Sequence, residues 1–203
     1  MIFTSFANAE QDKQAVTALL QQLKSAYSKV DTFTVKMKLE RYLPDYALQN
    51  QLVWFKRPKY IKLKQLGPFK KGAELAIKPD GSIKGHLGGF LSFLVVSVDA
   101  DDENLFGVTS DSAFQTDYDV VIEVAMDLSQ HMTGYELKKD EKEKKIILDS
   151  FYNDKINRYR LVIDSKNMMI IGLERYLENK LMHKITWSNL KLNPNISDQE
   201  FDL

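Results

Sequence analysis

The chain contains no cysteine. It therefore has no disulfide framework, no thiol nucleophile and no thiolate metal ligand. It also lacks an excess of either charge, since 28 basic residues balance 28 acidic ones for a formal net charge of +0. A balanced chain sets up no long-range field toward nucleic acid or an anionic membrane, and nucleic acid is not expected as a partner. No apolar run approaches the ~20 residues that span a bilayer, so no transmembrane segment is expected. The three histidines, His86, His131 and His183, do not lie at the spacing of a metal-binding pair. HExxH, a nucleophile elbow and a Ser–His–Asp context are all missing. These absences leave no catalytic constellation, and no enzyme, metal or cofactor is expected.

What remains is a chain of 203 residues, 44% hydrophobic and 28% charged, which suits one globular domain. Its start, Ile2-Phe3-Thr4-Ser5-Phe6-Ala7-Asn8-Ala9, is apolar and ends in the small-x-small pattern of signal-peptide cleavage. Residues 1–9 read as a truncated signal peptide or as an ordinary frayed end. Residues 10–203 read as a single domain.

Apolar spacing alternates between two periods along the chain. Val16, Leu19, Leu20, Leu23, Tyr27 and Val30 recur at helical steps over 12–30. From Thr32 to Glu40 the period becomes two, with Phe33, Val35, Met37 and Leu39 on one face and Thr34, Lys36, Lys38 and Glu40 on the other. A second strand, about 46–56, ends at the basic corner Lys56-Arg57-Pro58, where proline has no N–H for the ladder. Ile61 and Leu63 then alternate with Tyr60, Lys62 and Lys64. Short strands are predicted at 73–78 and 82–87 around the turn Pro79-Asp80-Gly81, and a strongly apolar strand at 90–98.

The acidic run 99–103 suits a helix N-terminus better than a calcium loop, because it lacks the twelve-residue EF-hand pattern. Ser112-x-x-Gln115 fits a capping box and predicts a helix over 114–128 carrying Phe114, Tyr118, Val121, Ile122, Ala125 and Leu128. Five more strands are predicted at 133–139, 144–152, 157–164, 168–177 and 180–191, joined by short turns as an antiparallel meander. The tail is expected to make one helical turn that docks Phe201. Gly85-x-x-Gly88-Gly89 has no strand–turn–helix context, so it reads as a bulge or a close backbone approach and not as a dinucleotide fingerprint.

About eleven strands with two or three helices, in the order α–β(6)–α–α–β(5), give an α+β, mainly β, fold. The expected architecture is a single strongly curved antiparallel sheet, an incomplete barrel, with helices covering its concave face. The order and motifs resemble the LolA/LolB-like lipoprotein-carrier superfamily. The resemblance rests on the helix before Asp31-Thr32-Phe33-Thr34-Val35, the Phe55-Lys56-Arg57-Pro58 corner, the run Asp80 to Gly89, and the ending Ser188 to Phe201.

That resemblance implies an exported, periplasmic, Gram-negative protein that is non-catalytic and shelters lipid or lipoprotein acyl chains in an apolar cavity. It implies a membrane-bound donor or acceptor and a monomeric carrier. It also allows a lipid-sensing or protein-interaction module of envelope-stress signalling with the same fold. Phe33, Val35, Met37, Leu39, Leu52, Trp54, Ile61 and Leu63 match the cavity lining by alternation. Phe93 on the apolar run and Tyr118 and Ile122 on the covering helix complete the implied set. Arg57 matches an arginine that holds the family's helical lid closed; as a residue alone it reads equally as a solvated corner.

Overall fold

The structure is a computed structural model that describes residues 6–110, 112–151 and 157–203. Its strands form one eleven-stranded antiparallel sheet that does not close into a barrel, accompanied by two α-helices. The first half runs α1 (Phe6–Tyr27), β1 (Thr32–Arg41), β2 (Ala47–Lys56), β3 (Tyr60–Pro68), β4 (Glu74–Ile77), β5 (Ile83–His86) and β6 (Val96–Ser97). The second half runs α2 (Tyr118–His131), β7 (Gly134–Asp140), β8 (Lys145–Phe151), β9 (Arg158–Asp164), β10 (Met169–Leu177) and β11 (Lys180–Leu192). The strand order is β6-β5-β4-β3-β2-β1-β11-β10-β9-β8-β7, so β11 inserts beside β1 and each half is a meander on its own side.

By its contacts the chain divides into two compact units. One comprises the chain up to Lys29 with Tyr118–His183. Here the predicted stripe Val16, Leu19, Leu20, Leu23 and Tyr27 is buried, and α1 packs on α2, β7 and β10. Helix α1 starts at Phe6, so the expected boundary after Ala9 falls inside it; residues 1–5 of that segment lie outside the described residues. The Tyr27 and Tyr118 rings meet at 5.4 Å, and the buried Tyr118 hydroxyl donates to the carbonyl of Ile170 at 2.9 Å. Burial pushes the Tyr118 phenol up, so it stays a neutral donor. On β8, β9 and β10 the facing residues Asp149, Arg160 and Glu174 form a charged row. Arg160 grips Asp149 through two bonds of 2.7 and 2.9 Å. The predicted turn at Asn153–Ile156 lies outside the described residues.

The other unit comprises Val30–Asp117 with Lys184–Leu203. Its frame is the hairpin β1–β2, whose register pairs Phe33 with Phe55, Val35 with Val53, Met37 with Gln51 and Leu39 with Gln49. Strand β3 then sets Ile61 beside Phe55 and Leu63 beside Val53. The turn between β4 and β5 is built as the sequence predicts: Gly81 sits at φ +85°, and the Asp80 carboxylate accepts from the Ser82 amide at 2.9 Å. The tail makes a 3-10 turn at Asp198–Phe201, burying Phe201 against Tyr60 with ring centroids 5.2 Å apart.

Two expectations are corrected. The apolar run 90–98 is not a strand: a 3-10 turn occupies Gly89–Leu91, and only Val96–Ser97 pairs, with Lys84 and Gly85. Strand β5 is four residues long and ends at His86, so residues 90–95 have no ladder to join. The second helix begins at Tyr118, four residues after its predicted start. Residues Ala113–Thr116 form a 3-10 turn instead, with the Ser112 hydroxyl accepting from the Phe114 amide at 3.4 Å. The short polar cap is satisfied within that tighter turn, so it does not open the α-helix.

Candidate functional site

The side chains of β1–β5 divide the second unit into two unlike faces. Alternate residues of a strand point to opposite sides, so register decides which residues share a face. On one face the row Phe33, Phe55, Ile61, Ile77 and Ile83 crosses the strands, with Val35, Val53, Leu63 and Leu75 beside it. The Phe33 and Phe55 rings stack at 4.9 Å and 14°. All of these except Leu75 are buried.

Farther along the same face the lining turns polar. Gln49 donates to Gln51 at 2.9 Å and to Gln65 at 3.2 Å, while Gln65 donates to Gln51 at 3.1 Å. Gln51 in turn donates to the Met37 sulfur at 3.3 Å. The cluster also holds the segment between β6 and α2, because the Val108 amide donates to Gln49 Oε1 at 2.9 Å. Gly107 fits there only because it lacks a Cβ: that atom would lie 2.8 Å from Gln49 Oε1 and 3.2 Å from Leu39 Cδ2. Leu105, Val108 and Ala113 of this segment are buried as well. The apolar rows thus end at a glutamine step with a strap of chain seated on it.

Six of the expected lining residues share this face: Phe33, Val35, Met37, Leu39, Ile61 and Leu63. Leu52 and Trp54 do not. They stand opposite Lys36 and Thr34 and point to the other face, which corrects the grouping by alternation. The residues with the inward parity on β2 are Val53 and Phe55, with Gln49 and Gln51 behind them. The sequence carries that parity in Gln49-x-Gln51-x-Val53-x-Phe55, but only the pairing with β1 says which parity faces inward. Tyr118 and Ile122 are buried on the first turns of α2 in the other unit. Phe93 is 73% exposed, because the run that carries it is a loop.

That loop is the most apolar exposed surface among the described residues. Leu87, Phe90, Phe93, Leu94, Val95 and Val96 all stand open, Phe90 at 88%. It is tied to the β3–β4 loop at Gly88, where an added Cβ would come within 2.1 Å of the Lys71 carbonyl oxygen. Of the bulge and the close backbone approach that the sequence allows at these glycines, Gly88 shows the close approach.

At the corner, the Arg57 amide donates to the Asp31 carbonyl at 2.8 Å and its Nε to the Val30 carbonyl at 2.9 Å. Arg57 is therefore anchored on the chain that enters β1, three residues past the end of α1 at Tyr27. No group of three or more His, Asp or Glu side chains able to hold a metal ion occurs among the described residues. Among the described residues, no helix is long and apolar enough to cross a membrane.

The chain is thus an open antiparallel sheet with one helix leading it and one inserted between its halves. No family model matches the chain, and no curated protein matches it. Among solved structures, an uncharacterized conserved protein from Thermus thermophilus aligns over 93% of this chain and 93% of its own, at 10% identity and a TM-score of 0.56. The lipoprotein LppX of Mycobacterium tuberculosis aligns over 91% of this chain and 98% of its own, at 11% identity and a TM-score of 0.55. The Pseudomonas aeruginosa MucA/MucB complex contributes a match over 93% of this chain and 61% of that one, at 10% identity and a TM-score of 0.51. At such identities the likeness concerns the fold alone.

Proposed function

We propose that this protein is a non-catalytic carrier of the bacterial envelope that binds the acyl chains of lipids or lipoproteins. The observation that carries the reading is the continuous apolar face of β1–β5, where large side chains align in register across five successive strands. Acyl chains do not cross water unaided. Each methylene moved out of water is worth roughly 0.8 kcal/mol, so one long chain offers on the order of 10 kcal/mol before the cost of association.

In this reading Phe33, Val35, Met37, Leu39, Ile61 and Leu63, with Val53 and Phe55, receive the chain. The segment around Gly107 and Val108 lifts from Gln49 to admit it. Breaking the Val108–Gln49 bond exposes two polar groups to water, which compensates most of its loss. Tyr118 and Ile122 are proposed as acyl contacts within their own unit, and Arg57 is the proposed latch. The exposed run Leu87–Val96 is the surface we assign to the membrane-bound donor or acceptor. Apolar patches of this kind mark partner or membrane contacts. Export to the periplasm as a monomer belongs to the same reading.

A second reading has one specific support. A matched chain of similar fold was solved in complex with a protein partner, MucA. The same architecture would then serve as a lipid-sensing or protein-interaction module in envelope-stress signalling.

Native mass spectrometry of protein purified without detergent, followed by lipid extraction, tests the carrier reading. Bound acyl species and uptake of a fluorescent fatty acid are expected. A protein that is consistently empty and takes up no probe overturns it, and a stable protein complex recovered in place of lipid supports the second reading.

A further inference from the structure

The displaced pair Leu52 and Trp54 lines something of its own. With Thr34 and Lys36 of β1, Lys191 of β11, and residues 194–197 and Glu200 of the tail, they line a half-open cleft of about 630 Å³ within the second unit. That size lies inside the usual range of small-molecule sites, roughly 300–1,000 Å³. The cleft opens on the face opposite the apolar rows, because Thr34, Lys36, Leu52 and Trp54 have the other strand parity.

Its outer wall is fixed. Asn193 accepts from the Asp31 amide at 2.8 Å, and its own amide donates to the Thr32 carbonyl at 2.8 Å. The Thr32 hydroxyl donates to the Pro194 carbonyl at 2.6 Å. Lys56 donates to the Ile196 carbonyl at 3.0 Å and pairs with Asp198 at 2.6 Å. Phe201 then closes the tail against Tyr60. The tail is thus pinned before and after the stretch that forms the wall, so the cleft is preformed.

Charge distinguishes this cleft from the surface around it. On β1–β3, Lys38 pairs with Glu40, Lys56 with Asp198, and Lys62 and Lys64 with Glu74. Lys36, which lines the cleft, makes no ion pair among the described residues, and neither does Lys191. Two lysines without an ion pair therefore line the cleft together with Leu52, Trp54 and the buried Ile196, and Glu200 is the one carboxylate among the lining residues.

We infer that this cleft binds a small amphipathic anion, with its apolar body on Trp54, Leu52 and Ile196 and a carboxylate or phosphate head between Lys36 and Lys191. The lone carboxylate of Glu200 opposes a head of higher charge. An apolar platform with a few placed cations selects a molecule that is both greasy and anionic; either feature alone satisfies half of the lining. This site goes beyond the carrier reading and does not depend on it, since it uses the opposite face of the sheet.

Titration calorimetry on the full chain with dodecanoate, dodecyl phosphate, dodecanol and inorganic phosphate tests the assignment. Dodecanoate or dodecyl phosphate is expected to bind, and whichever binds tighter names the head group. The double variant Lys36→Gln/Lys191→Gln should lose at least tenfold affinity for the anions, leave dodecanol unchanged and melt like the parent. Trp54→Ala should weaken both anions, and quenching of Trp54 emission should follow binding. Inorganic phosphate binding as tightly as the amphiphiles overturns the amphipathic assignment. Anion affinity unaltered in the double variant overturns the site. If the carrier reading fails, a lysine-dependent class of binding still remains; if this site fails, only a lysine-independent class remains.

Discussion

Arg57 reaches the carbonyl of Val30 with its Nε at 2.9 Å, and its backbone amide reaches Asp31 at 2.8 Å. The corner that ends β2 is thereby fastened to the first residues leading into β1. The Nε bond comes from the rigid guanidinium plane, which a lysine at the same place does not present, whereas the amide bond is independent of the side chain. Replacing Arg57 with leucine should shorten the residence time of a bound fluorescent fatty acid in stopped-flow displacement. Unchanged binding and release would reject the latch role, and the urea midpoint of the same variant separates a latch from a merely structural bond.

The glutamine step should be costly to disturb. Gln49→Leu leaves the Val108 amide without its acceptor, a loss of about 1–3 kcal/mol where the donor stays buried. Gly107→Ala brings a methyl to 2.8 Å from Gln49 Oε1 and should act in the same direction. Urea unfolding of the two variants measures both effects. If the strap lifts to admit cargo, each variant should also take up the fatty-acid probe faster.

Glu74 supplies a pH dependence. Burial pushes its carboxyl up, but the hydrogen bonds and charges of Lys64 and Lys62 outweigh that and hold it below the usual glutamate value. A carboxyl depressed in the folded state contributes stability above its unfolded pKa and loses it as pH falls through the folded one. The stability difference between the parent and Glu74→Gln should therefore be fullest near neutrality. It should shrink only as the pH drops through and below the ordinary carboxylate range. Urea midpoints between about pH 7 and about pH 3 measure it, and a difference constant across that range would contradict the pairing.

In the other unit, Asp149 is 2% exposed and takes both bonds from Arg160. Removing one partner of a fully buried pair costs about 3–5 kcal/mol; here Arg160 is 27% exposed and keeps Glu174 at 3.6 Å, so the loss should fall below that range. Asp149→Ala should show that loss in thermal unfolding. The triple change Asp149→Leu/Arg160→Met/Glu174→Gln should recover much of it, since it removes the whole charged row and leaves Glu174 no unpaired charge.

The run Leu87–Val96 gives a prediction about contact with membranes. Phe90→Ser with Phe93→Ser should leave the melting temperature close to that of the parent, because both rings are exposed. Sedimentation with phospholipid vesicles should fall if this loop meets the donor or acceptor membrane. Equal vesicle binding by the double variant would remove the loop from the proposed function.

Much of the architecture was legible in the chain. Period-two spacing marked β1 and β3, and turn chemistry at Pro79-Asp80-Gly81 marked the β4–β5 hairpin. The helical stripe from Val16 to Tyr27 marked the buried side of α1. These are local matters, set by alternation, by proline's missing donor and by glycine's tolerance of positive φ. The run 90–98 was misread for the opposite reason. Apolar content says that a segment can pair, but pairing needs a free edge of sufficient length, and β5 offers two positions.

The element order, the lack of thiolate chemistry and the apolar face of β1 are written locally in the chain. What stands beside that face is not. The β1–β2 register put Val53 and Phe55 with Phe33 and sent Leu52 and Trp54 to the other side, because a shift of one residue exchanges every side chain between faces. Pairing with β3 likewise gathered Gln49, Gln51 and Gln65 from two strands, and the tail folded over Trp54 to make a cleft. Periodicity reveals that a strand has two faces, and long-range pairing alone assigns each face its neighbours.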